Sequence, residues 1–340
     1  MKMVKLVIMC TMMLALFLPN TGNAKDLPRF VYVATNPQGS IYYTFGSIFA
    51  KVLDSYSGIK TRVQPSGGSS AYIPAISQGK IELGVNNTND VRLAYQGVAP
   101  FISSPKIRVL TVVCPLVAGM LVRNDSDIKT MDDIRGKRVA AKFPAQVSIT
   151  LCIESMLAAD NLSYKDVVEV PVENIIAGVQ ALSEKRLDVT SISIYAARTK
   201  EADATIPGGI RYLSIDGSPA GAKRMADVFP GSYPITIKAH APGSSGILED
   251  TTVQAYDIFL IGSTNLSEEA GYTIVKALYE HINEIQKGHG MLASFARENM
   301  VKPNVTIPFH QGAIKFYKEV GLWSTNMDKV QQDLLKQASK

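Results

Sequence analysis

The chain has 340 residues, 46% hydrophobic and 19% charged, and its 35 Lys and Arg against 30 Asp and Glu leave a formal net charge of +5. That balance excludes a disordered chain and a fibre, and basic residues dispersed along the chain exclude a nucleic-acid footprint. Three cysteines cannot build a disulfide framework, whereas the length suffices for two lobes, each with its own core.

The first segment stands apart. Lys2 and Lys5 precede an apolar run from Leu6 to Leu18 that Pro19 ends, and Gly22-Asn23-Ala24 places small residues where a signal peptidase reads. This is the layout of a secretory signal peptide, too short to remain as a membrane span. Cleavage is expected after Ala24, giving a periplasmic protein. The mature chain keeps Cys114 and Cys152, each in an apolar stretch that reads either as a buried thiol or as one half of a pair formed in an oxidising compartment.

From Asp26 onward, short β-rich runs alternate with amphipathic helical segments, the pattern of a chain winding parallel strands around helices. Phe30–Ala34 reads as a strand. After a turn at Asn36–Gly39, Ser40 caps a helix whose Ile41, Phe45, Ile48, Phe49, Val52 and Leu53 share one face. The unit repeats with a strand at 59–63, a Ser/Gly loop at 64–69 and a short helix at 70–77 that Gln78-Gly79-Lys80 stops. A third strand at 81–85 runs into Asn86-Asn87-Thr88-Asn89-Asp90 and another helix. After a β-branched run at 109–116 and a loop at 124–129, a second series begins at Arg138–Ala141. It continues with a helix at 148–159, a strand at 167–172, a helix through Ile175, Ile176, Val179 and Leu182, and a strand at 187–194. A short strand at 208–215, an irregular stretch at 218–246, a strand at 253–261, a long helix at 267–286 and shorter helices complete the chain.

Three strand ends of the first series carry small or amide side chains where apolar ones would serve a core. In open α/β sheets ligands sit at the carboxyl ends of strands. A loop entering a helix there offers free N–H groups and the positive end of the helix dipole, enough to bind a carboxylate without a charged side chain. Ser66-Gly67-Gly68-Ser69 suits that use, although such a loop also reads as a plain strand-to-helix turn. Tyr42 and Tyr43 open a helix where one can cover a ligand, and Arg198, beyond a strand end at Tyr195, is placed to meet a carboxylate or to lie in solvent. Dinucleotide, P-loop, zincin and nucleophile-elbow motifs are all missing, and His281 and His289 are poorly spaced for a metal. No metal, cofactor or enzymatic activity is therefore expected.

Gln38-Gly39-Ser40-Ile41-Tyr42-Tyr43, Gln64-Pro65-Ser66-Gly67-Gly68-Ser69 and Gln78-Gly79-Lys80-Ile81-Glu82-Leu83-Gly84-Val85 together resemble the TAXI family of TRAP-transporter solute receptors. Asp132–Val139 resembles the phrase opening the second lobe of such proteins, and Ile307–Tyr317 the family's closing stretch. The resemblance implies an α/β, two-lobed periplasmic binding protein of type II-like arrangement. Each lobe would be a mainly parallel sheet flanked by helices, residues 25–115 with 255–340 forming one lobe and 116–254 the other, joined by hinge strands near 112–117 and 250–258. It further implies a monomer that closes on a small organic acid or amino acid, glutamate- or dicarboxylate-like, and passes it to TRAP-type permease subunits. A receptor for an ATP-driven importer or a sensor kinase is the alternative, and an exported enzyme on this fold the remote one. By family position the ligand would touch Gln38, Ser40, Ile41, Tyr42, Ser66, Gly67, Gly68, Ser69, Asn87 and Thr88, with Gln146, Ser148, Thr150 and Tyr195 from the second lobe. The chain departs from the family in having a single glycine in its first loop and none in Phe143–Thr150, where Val147 and Ile149 stand.

Overall fold

The computed structural model describes residues 27–337; the expected signal segment, residues 1–24, lies outside them. The first series is β1 (Phe30–Thr35), α1 (Ile41–Tyr56), β2 (Lys60–Pro65), α2 (Ser69–Ser77), β3 (Leu83–Asn87) and α3 (Thr88–Gln96). A 17-residue strand, β4 (Ile107–Arg123), leads to the second series: β5 (Arg138–Ala141), α4 (Val147–Ala159), β6 (Val168–Pro171), α5 (Ile175–Ser183), β7 (Val189–Ser193), α6 (Ala197–Thr205) and β8 (Ile210–Leu213). Then come α7 (Pro219–Val228), β9 (Tyr233–Ile237), β10 (Thr251–Ser263), α8 (Glu268–Glu280), α9 (Ile282–Gly288), α10 (Gln311–Glu319) and α11 (Thr325–Gln337).

The helix starts follow their capping residues. The Ser40 hydroxyl accepts from the Tyr43 N–H at 3.2 Å at the head of α1, and the Asn87 side chain accepts from the N–H groups of Asn89 and Asp90 at 3.0 and 2.7 Å at the head of α3. Gly97, with φ of 66°, ends α3 in the left-handed conformation that a glycine adopts without steric cost.

Two expectations are corrected. The stretch 218–246 is not irregular throughout: Ser218 caps α7 with Pro219 at its first position, and β9 pairs antiparallel with β10. The expected helix at 267–286 breaks at His281, where α8 ends and α9 starts afresh; the His281 ring stacks on Tyr56 of α1 at 3.6 Å between centroids.

The strands run in the order β2-β1-β3-β10-β4-β7-β5-β6, with β8 also paired to β4. Pairing is parallel within β2-β1-β3 and β7-β5-β6, and antiparallel where β10 meets β3 and β4 and where β4 meets β7. Only β4 and β10 run through both halves. Val112 faces Phe259 and Pro115 faces Asp257, so β4 carries one extra residue between these pairs, a bulge at the crossing from one half to the other. Two hydrophobic clusters flank it. One gathers side chains from β1, β3, β4, β10, α1 to α3 and the C-terminal helices, the other side chains from the remainder of β4, β5, β7, α4 to α7 and the start of β10. The fold is thus α/β and two-lobed, with the parallel strands β2-β1-β3 in one lobe and β7-β5-β6 in the other, and with β8 and β9 antiparallel to the two strands the lobes share.

Candidate functional site

The carboxyl ends of β1 and β7 and the N-termini of α1, α4 and α5 meet between the lobes. There they enclose a narrow cleft. Asn36, Ser40, Ile41 and Tyr42 line it from the first lobe, Ile149, Cys152, Ile175 and Ser191–Ser193 from the second, and Leu116, Ala118 and Tyr256 from the shared strands. No Lys, Arg, His, Asp or Glu is in this lining. Its polar atoms belong to hydroxyls, one amide and one thiol, set among branched aliphatic side chains.

The lobes touch around the cleft. The Arg198 N–H donates to the Gly39 carbonyl at 3.2 Å, the Val147 N–H to the Ser70 hydroxyl at 3.4 Å and the Asn87 side chain to the Ser148 hydroxyl at 3.4 Å. His289 Nε2 lies 3.3 Å from the Tyr195 carbonyl. Two glycines permit this approach. Gly39 has φ of 91°, a conformation suited to glycine, and a Cβ at Gly68 would collide with the Ala145 carbonyl oxygen and the Gln146 side chain.

Burial pushes the Tyr42 hydroxyl well above its ordinary pKa, with the charge of Asp90 adding to the effect, and Tyr256 is raised likewise. Both phenols are therefore neutral donors at physiological pH. Asn87 and Tyr256 lie beside the Tyr42 hydroxyl. Asp90, 1% exposed, lies behind this floor, and burial pushes its carboxyl up to about 6. Cys114 and Cys152 are free and buried, and burial pushes the Cys114 thiol up to about 12. Hydroxyls and a thiol with no histidine or carboxylate beside them in the lining give the cleft means to bind and orient a molecule and to exclude water. They give it no base to activate a nucleophile. Among the described residues no group of three or more His, Cys, Asp or Glu could hold a metal ion.

Of the residues expected from sequence, Ser40, Ile41 and Tyr42 line the cleft. The others sit around it. Gln38 is an exposed turn residue, and the Ser66 hydroxyl donates to the Thr35 carbonyl at 3.1 Å. Gly67 and Gly68 pack against Ala145, and Ser69 lies beside Asp90. Asn87 caps α3, and the Thr88 carbonyl accepts from Thr306 at 2.7 Å. Gln146 braces the second lobe, its Oε1 accepting from the Ile175 N–H at 2.8 Å; Ser148 meets Asn87; and Thr150 accepts from the Phe143 N–H at 3.4 Å. Tyr195 is half-buried at the interlobe contact with His289, and Tyr43 is half-buried on α1. The Arg198 guanidinium bonds Glu201 and Gln180 rather than the cleft. Sequence reasoning passed over Asn36, Leu116, Ala118, Ile149, Ile175, Ser191–Ser193 and Tyr256 as cleft residues. A signal existed for a few of them, because Ser191 and Ser193 are hydroxyl side chains near the carboxyl end of a buried strand.

Among solved structures the chain is similar to a periplasmic transporter at 14% identity over 91% of this chain and 97% of that one, with a TM-score of 0.55. It is also similar to PhnD1 from Prochlorococcus marinus in complex with methylphosphonate, at 9% identity over 87% and 100% of the two chains, TM-score 0.54. The alkanesulfonate-binding protein SsuA from Xanthomonas axonopodis pv. citri, bound to MOPS, matches at 15% identity over 92% and 85%, TM-score 0.47. At these identities the likeness is one of fold, that of two-lobed periplasmic binding proteins. Residues 33–321 match the NMT1-like family, and with most of its length so matched the chain belongs to that family.

Proposed function

We propose that the chain is an extracytoplasmic solute receptor. It captures a small organic molecule between lobe 1 (25–115 with 255–340) and lobe 2 (116–254) and hands it to a membrane permease without altering it. The observation carrying this reading is a cleft lined from both lobes and from both shared strands, so that closing on a ligand buries it. The lining favours a ligand with one compact polar or anionic end and an apolar body. Ser40, Ser191 and Ser193 offer neutral hydroxyls, whereas a second carboxylate would face Ile149, Ile175 and Ile192 with no partner. An organic acid or amino acid with a single such end therefore fits better than a dicarboxylate. The methylphosphonate of PhnD1 has that form, one anionic head on one methyl group.

An ATP-driven importer is the first reading of the partner, the family matched being the NMT1-like one and not the TAXI family. A TAXI-type TRAP permease is the second reading, favoured by the stretches at 38–43, 64–69 and 78–85. Uptake into membrane vesicles carrying the cognate permease, with the purified receptor added, tests both. Uptake requiring ATP hydrolysis supports the first and uptake requiring only an ion gradient the second. A solute converted to product by the receptor alone would overturn the non-enzymatic reading.

A further inference from the structure

Asp90 sits in the first turn of α3 with its carboxyl wholly buried where the lobes meet. From its own lobe Ser69 and Asn87 approach the carboxyl, and from the second lobe Ser148 does, while Oδ1 keeps no protein partner of good geometry. The titratable groups facing it are Tyr42 from α1, Tyr72 from α2, Cys152 from α4 and Tyr256 from β10, all neutral at physiological pH. Among the described residues no cation compensates its charge. α2 carries no charged residue, Arg92 on α3 turns to Asn89 and Gln96, and Asp257 on β10 pairs with Lys302.

A carboxylate closed into such a site loses water without gaining a counter-charge, whereas opening the lobes withdraws Ser148 and lets water return. We propose that Asp90 is a proton-binding site coupled to lobe closure, so that the receptor takes up a proton as it closes and closes more readily in mildly acidic medium. The inference rests on the receptor reading, since it needs lobes that open and close. Its sign follows from linkage: the closed state binds the proton more tightly, so acidification favours closure and the effect fades above the closed-state pKa. With a closed-state value near 6, and the ordinary 3.8 as the limit for the open state, the closing constant rises at most about tenfold between pH 7.5 and 5.0. His289, also at the lobe contact, is pushed down by burial and acts with opposite sign, so it cannot produce this rise.

Spin labels at Gln64→Cys and Glu173→Cys, exposed positions near the end of β2 and just past β6, report the interlobe distance with no ligand added. The expected result is two distances whose closed fraction grows on going from pH 7.5 to 5.0, with Asp90→Asn fixed at the acid ratio at both values. Ser148→Ala, which removes a donor that favours the charged carboxylate, should move the midpoint to higher pH. Two populations in a pH-independent ratio, a response retained in Asp90→Asn, or an unmoved midpoint in Ser148→Ala would overturn the proton link alone. A single unchanging distance under all conditions would overturn the receptor reading with it.

Discussion

Gly68→Ala isolates the closed state. In the structure a Cβ at this position would run into the Ala145 carbonyl oxygen and Gln146 Cγ of the opposite lobe, and backbone cannot swing aside as the end of a long side chain can. The φ of 165° and ψ of 178° at Gly68 are extended values open to any residue, so the substitution strains nothing within its own lobe. Overpacking of this kind costs about 1–3 kcal/mol. Borne only by the closed state, that cost lowers the closing constant, and with it the solute affinity, by about 5- to 150-fold at 1.4 kcal/mol per tenfold. Calorimetry with the solute found on the purified protein gives the affinity, urea unfolding the stability of lobe 1, and solution scattering the radius of gyration. The expected outcome is weaker binding and a larger radius in the presence of solute, with no loss of lobe 1 stability. An affinity within a factor of two of wild type would refute the placement of this contact in the bound state.

Other outcomes follow from individual residues. Tyr42→Phe removes a neutral donor from the cleft floor and should weaken solute binding by about 0.5–1.5 kcal/mol in calorimetry without changing the fold. Asn87→Ala uncaps α3 and should cost about 0.5–2 kcal/mol in urea unfolding. His310, whose Nδ1 accepts from the Gly312 N–H and whose Nε2 meets the Leu266 carbonyl, is held below its ordinary pKa by burial. Its contribution is complete above pH ~6.5 and lost as pH falls toward the folded-state value; His310→Gln should flatten that limb of the stability-against-pH curve. Cys114 and Cys152, free and buried with raised pKa values, should stay silent to a thiol reagent in the native protein and react together on unfolding.

What the sequence disclosed and what it withheld have physical reasons. Ser40 and the periodic face behind it specify α1 locally, so the strand, turn and helix at 30–56 were legible from spacing alone. Ser218-Pro219 carried an equally local start signal for α7, but Gly and Pro around it made 218–246 read as loop, and Pro234 disguised β9, which lies against β10 near the end of its run. The break at His281 was not legible, and the ring's stacking partner Tyr56 lies far away in sequence. In the cleft, Ser40 and Tyr42 announced themselves as small and polar at a strand end. Ile149, Ile175 and Leu116 look like any core residue until the fold turns them toward the second lobe's neighbour. Gln146 and Thr88 had the right chemistry and the right loops, yet Gln146 Oε1 is taken up by the Ile175 N–H and the Thr88 hydroxyl by that of Thr306, and Gln146 Nε2 keeps no protein partner.

Native mass spectrometry of the protein purified from its own export compartment, beside an Ile149→Trp variant that fills the cleft, tests the central claim most directly. The account predicts a one-to-one, non-covalent adduct of a small organic molecule on the wild type and its loss from the variant. An adduct held equally by both proteins, or none on either, would contradict a solute site between the lobes.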